Sequence, residues 1–383
     1  MLTQMSVRGF KSLQDVQDLN LGQINVFIGA NGSGKSNLLE AVGLLGAAIG
    51  GYLDHQTLLR RGVRLDTPAL FMSSFKSKGV SEQIRIRATW LTEPGEVECQ
   101  ITLPYRTDER QQFWLYNSTF KSNGEEMDWS PLSTLASEGS EIAKDLFAVL
   151  SDYAIFAPNT PTLRGVTPDI TQRSPVGLAG GQLAEAVAEL LDVERGMFGT
   201  LDLDQLLERL DWVDEIAIGP PSREIVSPSV PTTCNIIRFT DRWMAEAGNQ
   251  LSAYDASEGA LYVLFALVLA LHPQAPRLLA VEHMEHSMHP RLVRATIRLF
   301  CRHILRAVPR RQVLLTTHNP LVLDGLDLSD DRVRLFAVER NAQGATRVER
   351  VQVSDEALRA AGDELPLSVQ WVLGRLGGVP DIF

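Results

Sequence analysis

The richest chemistry in this chain lies in one glycine-rich run, Gly29-Ala30-Asn31-Gly32-Ser33-Gly34-Lys35-Ser36, which fits the spacing GxxxxGK[ST]. Glycines let successive backbone N–H groups turn inward and surround an anion. Lys35 would neutralise the β- and γ-phosphates of a nucleoside triphosphate, and the Ser36 hydroxyl would ligate Mg2+. The flanking elements have the required order. Ile24 to Ile28 is a short apolar, β-branched run that reads as a buried strand. From Asn37 to Leu45 the spacing turns helical, with Leu38, Leu39, Val42 and Leu45 on one face. The start of that helix would add its positive dipole end to the anion site. Gly29, Asn31, Gly32, Ser33, Gly34, Lys35, Ser36 and Asn37 are therefore the candidate nucleotide contacts, with ATP and Mg2+ as the implied ligands.

Three further segments carry reactive side chains. Leu278 to Val281 is an apolar strand that ends in Glu282, and an acid at a strand tip in a P-loop protein organises Mg2+. Residues 282–290 read EHMEHSMHP, which raises the question of zinc. The metalloprotease pattern H-E-x-x-H needs its glutamate directly after the first histidine, and His283, Glu285 and His286 break that order. No cysteine lies near enough to complete a structural zinc site. A third strand, Gln312 to Leu315, ends in Thr316-Thr317-His318-Asn319-Pro320, which puts a histidine at a strand tip before a turn signal. Finally, Ser257-Glu258-Gly259 opens a strongly apolar helix, where a hydroxyl and free N–H groups could meet an anion. Taken alone, that segment is an ordinary helix cap.

The four motifs stand in the order GANGSGKS, ASEG, LLAVEH, TTHNP. This set resembles the ABC-type ATPases, specifically the SMC/RecF/OLD-like branch of small prokaryotic AAA-family ATPases. The opening SVRGFKSL resembles that branch's first strand and its gFkS turn, EHMEHSMHP resembles its EEPENGLHP block, and Phe156 to Gly165 (FAPNTPTLRG) is similar more faintly. The resemblance implies an α/β P-loop NTPase with an ABC-ATPase-like two-lobed head: a mixed sheet, an antiparallel β subdomain and an inserted helical region. It implies that Gly29 to Ser36 is Walker A, that Glu282 is the Walker B acid and a metal ligand with Ser36, and that His318 is the switch histidine. Ser257, Glu258 and Gly259 would be the signature motif, which contacts the γ-phosphate held by a second copy, so ATP would glue a head-to-tail homodimer. No Q-loop glutamine is assigned. The sequence departs from the family where it matters for catalysis: His283 stands where the catalytic glutamate follows the Walker B acid, Met284 replaces a proline and Ala260 a common threonine. A neutral imidazole can act as a base near pH 7, but its charge differs from a carboxylate's.

Two functional readings follow. One is an ATPase whose dimer cycle drives work on nucleic acid or a partner. The other is a nucleotide-gated scaffold with little or no hydrolysis, read by a separately encoded nuclease or toxin; the resemblance places such proteins in prokaryotic DNA repair and antiviral defence. A small-molecule kinase would explain neither ASEG nor TTHNP.

The positioning elements divide the chain into residues 1–125 (first ATPase lobe, with Walker A and antiparallel strands at 80–120), 126–240 (helical insertion) and 241–383 (second lobe). Leu183 to Leu191 and Leu203 to Val213 read as helices of the insertion, and Arg332 to Glu339 and Thr346 to Val353 as late strands. After His318 no nuclease domain of the kind some OLD-like relatives carry is expected. With 44% hydrophobic and 22% charged residues the composition is that of a globular protein. Cys99, Cys234 and Cys301 are too sparse for a disulfide framework. The longest apolar run, Tyr262 to Leu271, is half of the roughly 20 residues a membrane span needs, so a cytoplasmic protein without a membrane anchor is expected. A formal net charge of −11 argues against nucleic-acid attraction by the whole molecule. A local contact through Arg302, Arg306, Arg310 and Arg311 is the exception the sequence allows.

Overall fold

Strand composition sorts this chain into two kinds of sheet. The computed structural model describes residues 1–51, 53–92, 95–104, 117–122, 125–127, 140–232, 235–352 and 365–378. Near the N-terminus lie β1 (Leu2–Phe10), β2 (Leu13–Asn20) and β3 (Ile24–Ile28). They are followed by β4 (Gln83–Thr92), β5 (Gly95–Pro104), β6 (Asn117–Ser122) and β7 (Glu125–Met127). Burial alternates along β4 and β5, the mark of strands with one covered face. These strands form a fully antiparallel sheet in the order β2-β1-β4-β5-β6-β7. The run QQFWLY at 111–116, expected as a further strand, lies outside the described residues, as does Cys234.

β3 instead is buried at every position, and so belongs in a sheet covered on both faces. It sits inside the second six-stranded sheet, which also takes β8 (Ala154–Phe156), β9 (Leu278–Glu282), β10 (Gln312–Thr317), β11 (Val333–Arg340) and β12 (Thr346–Arg350). The order is β8-β9-β10-β3-β11-β12, parallel except for the hairpin β11–β12. The helix α1 (Lys35–Ile49) is apolar nearly all round and is buried between the two sheets. On the other face of the second sheet lies the apolar helix Glu258–Leu271, whose residues from Gly259 onward are all buried. Among the described residues no helix is long and apolar enough to cross a membrane.

The stretch 126–240 holds strands as well as helices. β8 extends the central sheet, pairing Ala154 with Leu279 and Phe156 with Val281. The helix read over Leu183 to Leu191 is present at Leu183–Leu190. The one read over Leu203 to Val213 ends at Leu207, and Val213 instead starts the strand Val213–Gly219. That strand pairs with Ile236–Asp241 in antiparallel register, so cross-strand partners distant in sequence outweigh the local helical spacing.

An ion-pair network ties the antiparallel sheet to α1 behind the glycine loop. Lys11, in the tight turn between β1 and β2, takes φ +46° and lays its ammonium 2.8 Å from Glu40 of α1. Arg64 Nε reaches the same carboxylate at 2.6 Å, and its NH2 donates to Asn37 Oδ1 at 3.0 Å. The Glu40 side chain is only 2% exposed. Burial alone would raise its pKa, but the Arg64 hydrogen bond and the Lys11 charge override this and hold it below its ordinary 4.5. Removing one member of such a pair strands a buried charge. Glu40→Gln should therefore cost about 2–4 kcal/mol at pH 7 by urea denaturation. Because the folded pKa is depressed, the wild-type advantage is full above pH 4.5 and shrinks as pH falls below it. Curves for the two proteins that stay parallel from pH 7 to 3.5 would show that Glu40 gains nothing from its charge.

Candidate nucleotide site

The parallel register aligns the tips of three neighbouring strands. Glu282 pairs with Thr316, and Thr316 pairs with Phe27, so the carboxylate, the threonines and the start of the glycine loop lie on one edge. Adjacent strands are about 4.8 Å apart, which puts Glu282 two strand widths from β3. The loop itself turns on glycines at φ +154° (Gly29), +73° (Gly32) and +111° (Gly34). A Cβ at Gly29 would sit 2.0 Å from the Val338 carbonyl oxygen, and one at Gly34 would sit 2.2 Å from Thr346 Oγ1. At Gly32 a Cβ would meet nothing within 4 Å among the described residues, so the loop is packed tightly at Gly29 and Gly34 and loosely at Gly32. Thr346 donates to the Ser33 carbonyl at 2.7 Å, and Arg340 Nε donates to the Gly32 carbonyl at 2.8 Å.

Lys35 is buried at the first turn of α1 and donates to the carbonyls of Gly29 and Ala30, each at 2.8 Å. Burial pushes its ammonium down to a pKa of about 8, against the pull of Glu282, which raises it. Two buried oxygens of the loop and the neighbouring strand tip, Ser33 Oγ and Glu282 Oε1, have no hydrogen-bond partner among the described residues. A desolvated cation, orphaned oxygens, a glycine cradle and a helix N-terminus are what a Mg-bound polyphosphate would satisfy, so the residues fit that group. Ser36 and Glu282 are the residues that could hold the metal ion, and Lys35 and the loop N–H groups those that could meet the phosphates.

Beyond Glu282 the chain makes a constrained turn. His283 (φ +50°) and Ser287 (φ +56°) both take left-handed backbone, which is unusual away from glycine and gathers at functional sites. The His283 amide still bonds the Thr316 carbonyl at 3.1 Å, and its ring stacks on that of His318 with centroids 4.4 Å apart and planes at 21°. His318 Nδ1 lies 3.3 Å from the Gly29 carbonyl oxygen. Burial, then His318, then Lys35 push His283 down to about 4, and burial and Lys35 lower His318. Both imidazoles are therefore uncharged at neutral pH. Glu285 is buried under this turn. It accepts from the Thr317 hydroxyl and from the backbone N–H groups of His318 and Asn319, and burial raises its pKa.

The structure thus brings Gly29 to Ser36, Glu282, His283 and His318 together. Asn31 is exposed at the loop's rim. Asn37 faces away from the cradle, donating to Ser12 Oγ at 2.7 Å and accepting from Arg64. Ser257, Glu258 and Gly259 lie elsewhere. The Ser257 side chain is exposed and does not cap its own helix. Glu258 bonds Ser287 and Thr160 and pairs with Arg164 at 3.7 Å. The nearest atom to a Cβ at Gly259 would be the Ser287 carbonyl oxygen, at 3.3 Å. Of the basic cluster read from the sequence, Arg311 is removed: it is 5% exposed and donates to the carbonyls of Leu269, Ala270 and His272, closing the C-terminal end of the apolar helix. The supporting residues Ser12, Glu40, Arg64, Arg340 and Thr346 carry no motif of their own; only the FKS turn hinted at Ser12.

The family model described as "AAA domain, putative AbiEii toxin, Type IV TA system" matches residues 24–151 and 244–324, more than half of the chain. These two stretches hold the glycine loop and the span from Ser257 to His318. An uncharacterized protein of Methanocaldococcus jannaschii is 47% identical over 45 residues, which is 12% of this chain and only 14% of that protein's length. The SMC head domain from Thermotoga maritima shares the fold with a TM-score of 0.50 at 14% identity, covering 92% of this chain and 99% of its own. The Smc head domain with an extended coiled coil from Pyrococcus furiosus, bound to the C-terminal domain of ScpA, gives a TM-score of 0.54 at 12% identity, with 94% and 98% covered. The glycine cradle and the strand-tip acid agree with the sequence match, the overall architecture is that of an SMC head, and the chain belongs to that AAA-domain family.

Proposed function

We propose that this chain binds Mg–ATP in the Gly29–Ser36 cradle and closes into a two-fold dimer. In that dimer Ser257 and Gly259 of each copy complete the other's site. One observation carries the reading: a buried, desolvated Lys35 ammonium feels the charge of Glu282, one of whose carboxylate oxygens is buried without a hydrogen-bond partner among the described residues. The exposed Ser257 hydroxyl supports the dimer. Its helix tip is packed against residues 287–288 of its own chain and is free toward solvent. In this reading residues 1–125 are the first ATPase lobe, 126–240 the insertion and 241–383 the second lobe, and the protein works in the cytoplasm. The closed dimer is read by a separately encoded effector in prokaryotic defence or DNA repair. The family description, with its toxin and toxin–antitoxin wording, supports that setting, and so does a Smc head that carries a ScpA domain.

Lys35 and the loop N–H groups bind and orient the phosphates, while Ser36 and Glu282 hold Mg2+. The metal ion, when bound, supplies charge neutralisation at the transferring phosphoryl group. His318 is fixed to the first residue of the loop through Gly29, so it senses whether the cradle is filled. His283 is neutral and offers no carboxylate to orient an attacking water. That favours the second functional reading, a nucleotide-gated switch that turns over slowly, below about 1 s⁻¹ when typical enzymes reach about 10 s⁻¹.

Lys35→Ala should abolish nucleotide binding in a fluorescent-ATP titration. Ser257→Arg should bind nucleotide with unchanged affinity yet stay monomeric with ATP in light scattering. A Ser257→Arg protein that dimerises like wild type removes the trans role of this helix tip. His283→Glu should raise kcat at least tenfold, about 1.4 kcal/mol of barrier. An unchanged kcat would mean that residue 283 does not stand beside the attacking water.

A further inference from the structure

The helix that follows the carboxylate turn, Pro290–Arg306, is divided sharply between its two faces. Val293, Thr296, Ile297, Leu299, Phe300, Cys301 and Ile304 are buried. The opposite face presents Arg291, Arg294, Arg298, Arg302 and Arg306, all exposed. Steps of three and four residues keep these five side chains within about a third of the helix circumference and string them over about 22 Å of axis. Among the described residues none of the five has a carboxylate within ion-pair distance, whereas Arg8, Arg87, Arg173, Arg277 and Arg332 all do. Arg310, exposed just past the helix end, is likewise unpaired among the described residues. The sequence pointed only to the far end of this row.

A chain of net charge −11 has carboxylates to spare, and like charges one turn apart repel. Leaving a whole helix face positive therefore works against the helix itself. The field is felt locally: burial, then Arg302 and Arg306, lower the proton affinity of the half-buried His303. No large apolar side chain is exposed between Arg291 and Arg306, and the nearest is Val308 in the loop beyond. Protein–protein contacts are built around an apolar core with a polar rim, which this face lacks. Guanidinium groups in a row, with no large apolar side chain exposed between them, match a line of phosphates instead.

We infer that the exposed face of helix Pro290–Arg306 is a docking strip for the phosphate backbone of duplex nucleic acid, bound without regard to base sequence. The strip starts at His289, the cap of the helix and the last residue of the turn that begins at Glu282. A bound duplex would thus lie against the element that carries His283 and Glu285. The inference does not depend on the dimer or on hydrolysis.

The test is fluorescence anisotropy of the full chain with a labelled 30-bp duplex DNA of arbitrary sequence, at 50 to 300 mM KCl. The triple variant Arg294→Glu/Arg298→Glu/Arg302→Glu should bind at least 30-fold more weakly at 100 mM KCl. The neutral triple with Gln should reduce the slope of log K against log salt by about 3, since each lost phosphate contact removes about 0.9. A charge-matched control, Lys76→Glu/Lys78→Glu/Arg195→Glu, should change affinity less than threefold. Thermal melts of all variants should coincide, because the altered side chains are exposed. Absence of wild-type binding at 50 mM KCl overturns the assignment, and so do equal losses in the strip and control variants. Poly-glutamate of equal charge that displaces the duplex as effectively as unlabelled DNA would reassign the strip to an acidic protein.

Discussion

A buried ammonium with too little to pair with is the constraint on which the rest of this structure depends. Lys35 is held away from water by the turn of α1 and is left with two carbonyls and a carboxylate two strands away. Desolvating a cation in this way costs several kcal/mol unless a counter-charge arrives. In the proposed reading the surrounding elements provide for that charge. Parallel strands put their carboxyl ends on one edge, glycines turn the loop, and Val338, Thr346 and Arg340 brace it. The ion pair of Glu40 with Lys11 and Arg64 pins α1, and with it Lys35, to the antiparallel sheet.

The turn from His283 to His289 joins two regions that sequence leaves separate. Glu285 ties it to the tip of the neighbouring strand through Thr317, His318 and Asn319. Ser287 ties it to Glu258 at the start of the apolar helix. That helix tip is thereby linked through the turn to the stacked pair His283–His318, next to the glycine loop. Two left-handed residues hold the turn in this shape, and that strain is sustained by hydrogen bonds at both ends.

Much of the site was legible because its geometry is local. A glycine loop between a strand and a helix, or an acid at a strand tip, fixes its own conformation within a few residues. The central strands announced themselves as unbroken apolar runs. What was not legible depends on partners far away in sequence. Nothing near Val213 says that Ile236–Asp241 will pair with it and end the preceding helix early. Arg311 looks like its basic neighbours in the sequence, yet three carbonyls at a distant helix end capture it. Arg340 and Thr346 brace the loop, and Arg64 the helix behind it, from positions with no motif, and Asn37 is drawn off the cradle by Ser12, in the β1–β2 turn.

The central claim is that each nucleotide is enclosed by the cradle of one copy and the Ser257–Gly259 tip of another. The most direct measurement is complementation: mix chains carrying Lys35→Ala with chains carrying Ser257→Arg and follow ATP-dependent association by energy transfer between labels on the two kinds of chain. Neither protein alone should associate. The mixture retains one intact cradle opposite one intact tip, and should form a mixed dimer with one ATP. A mixture that stays monomeric, while wild type dimerises under the same conditions, would contradict the account.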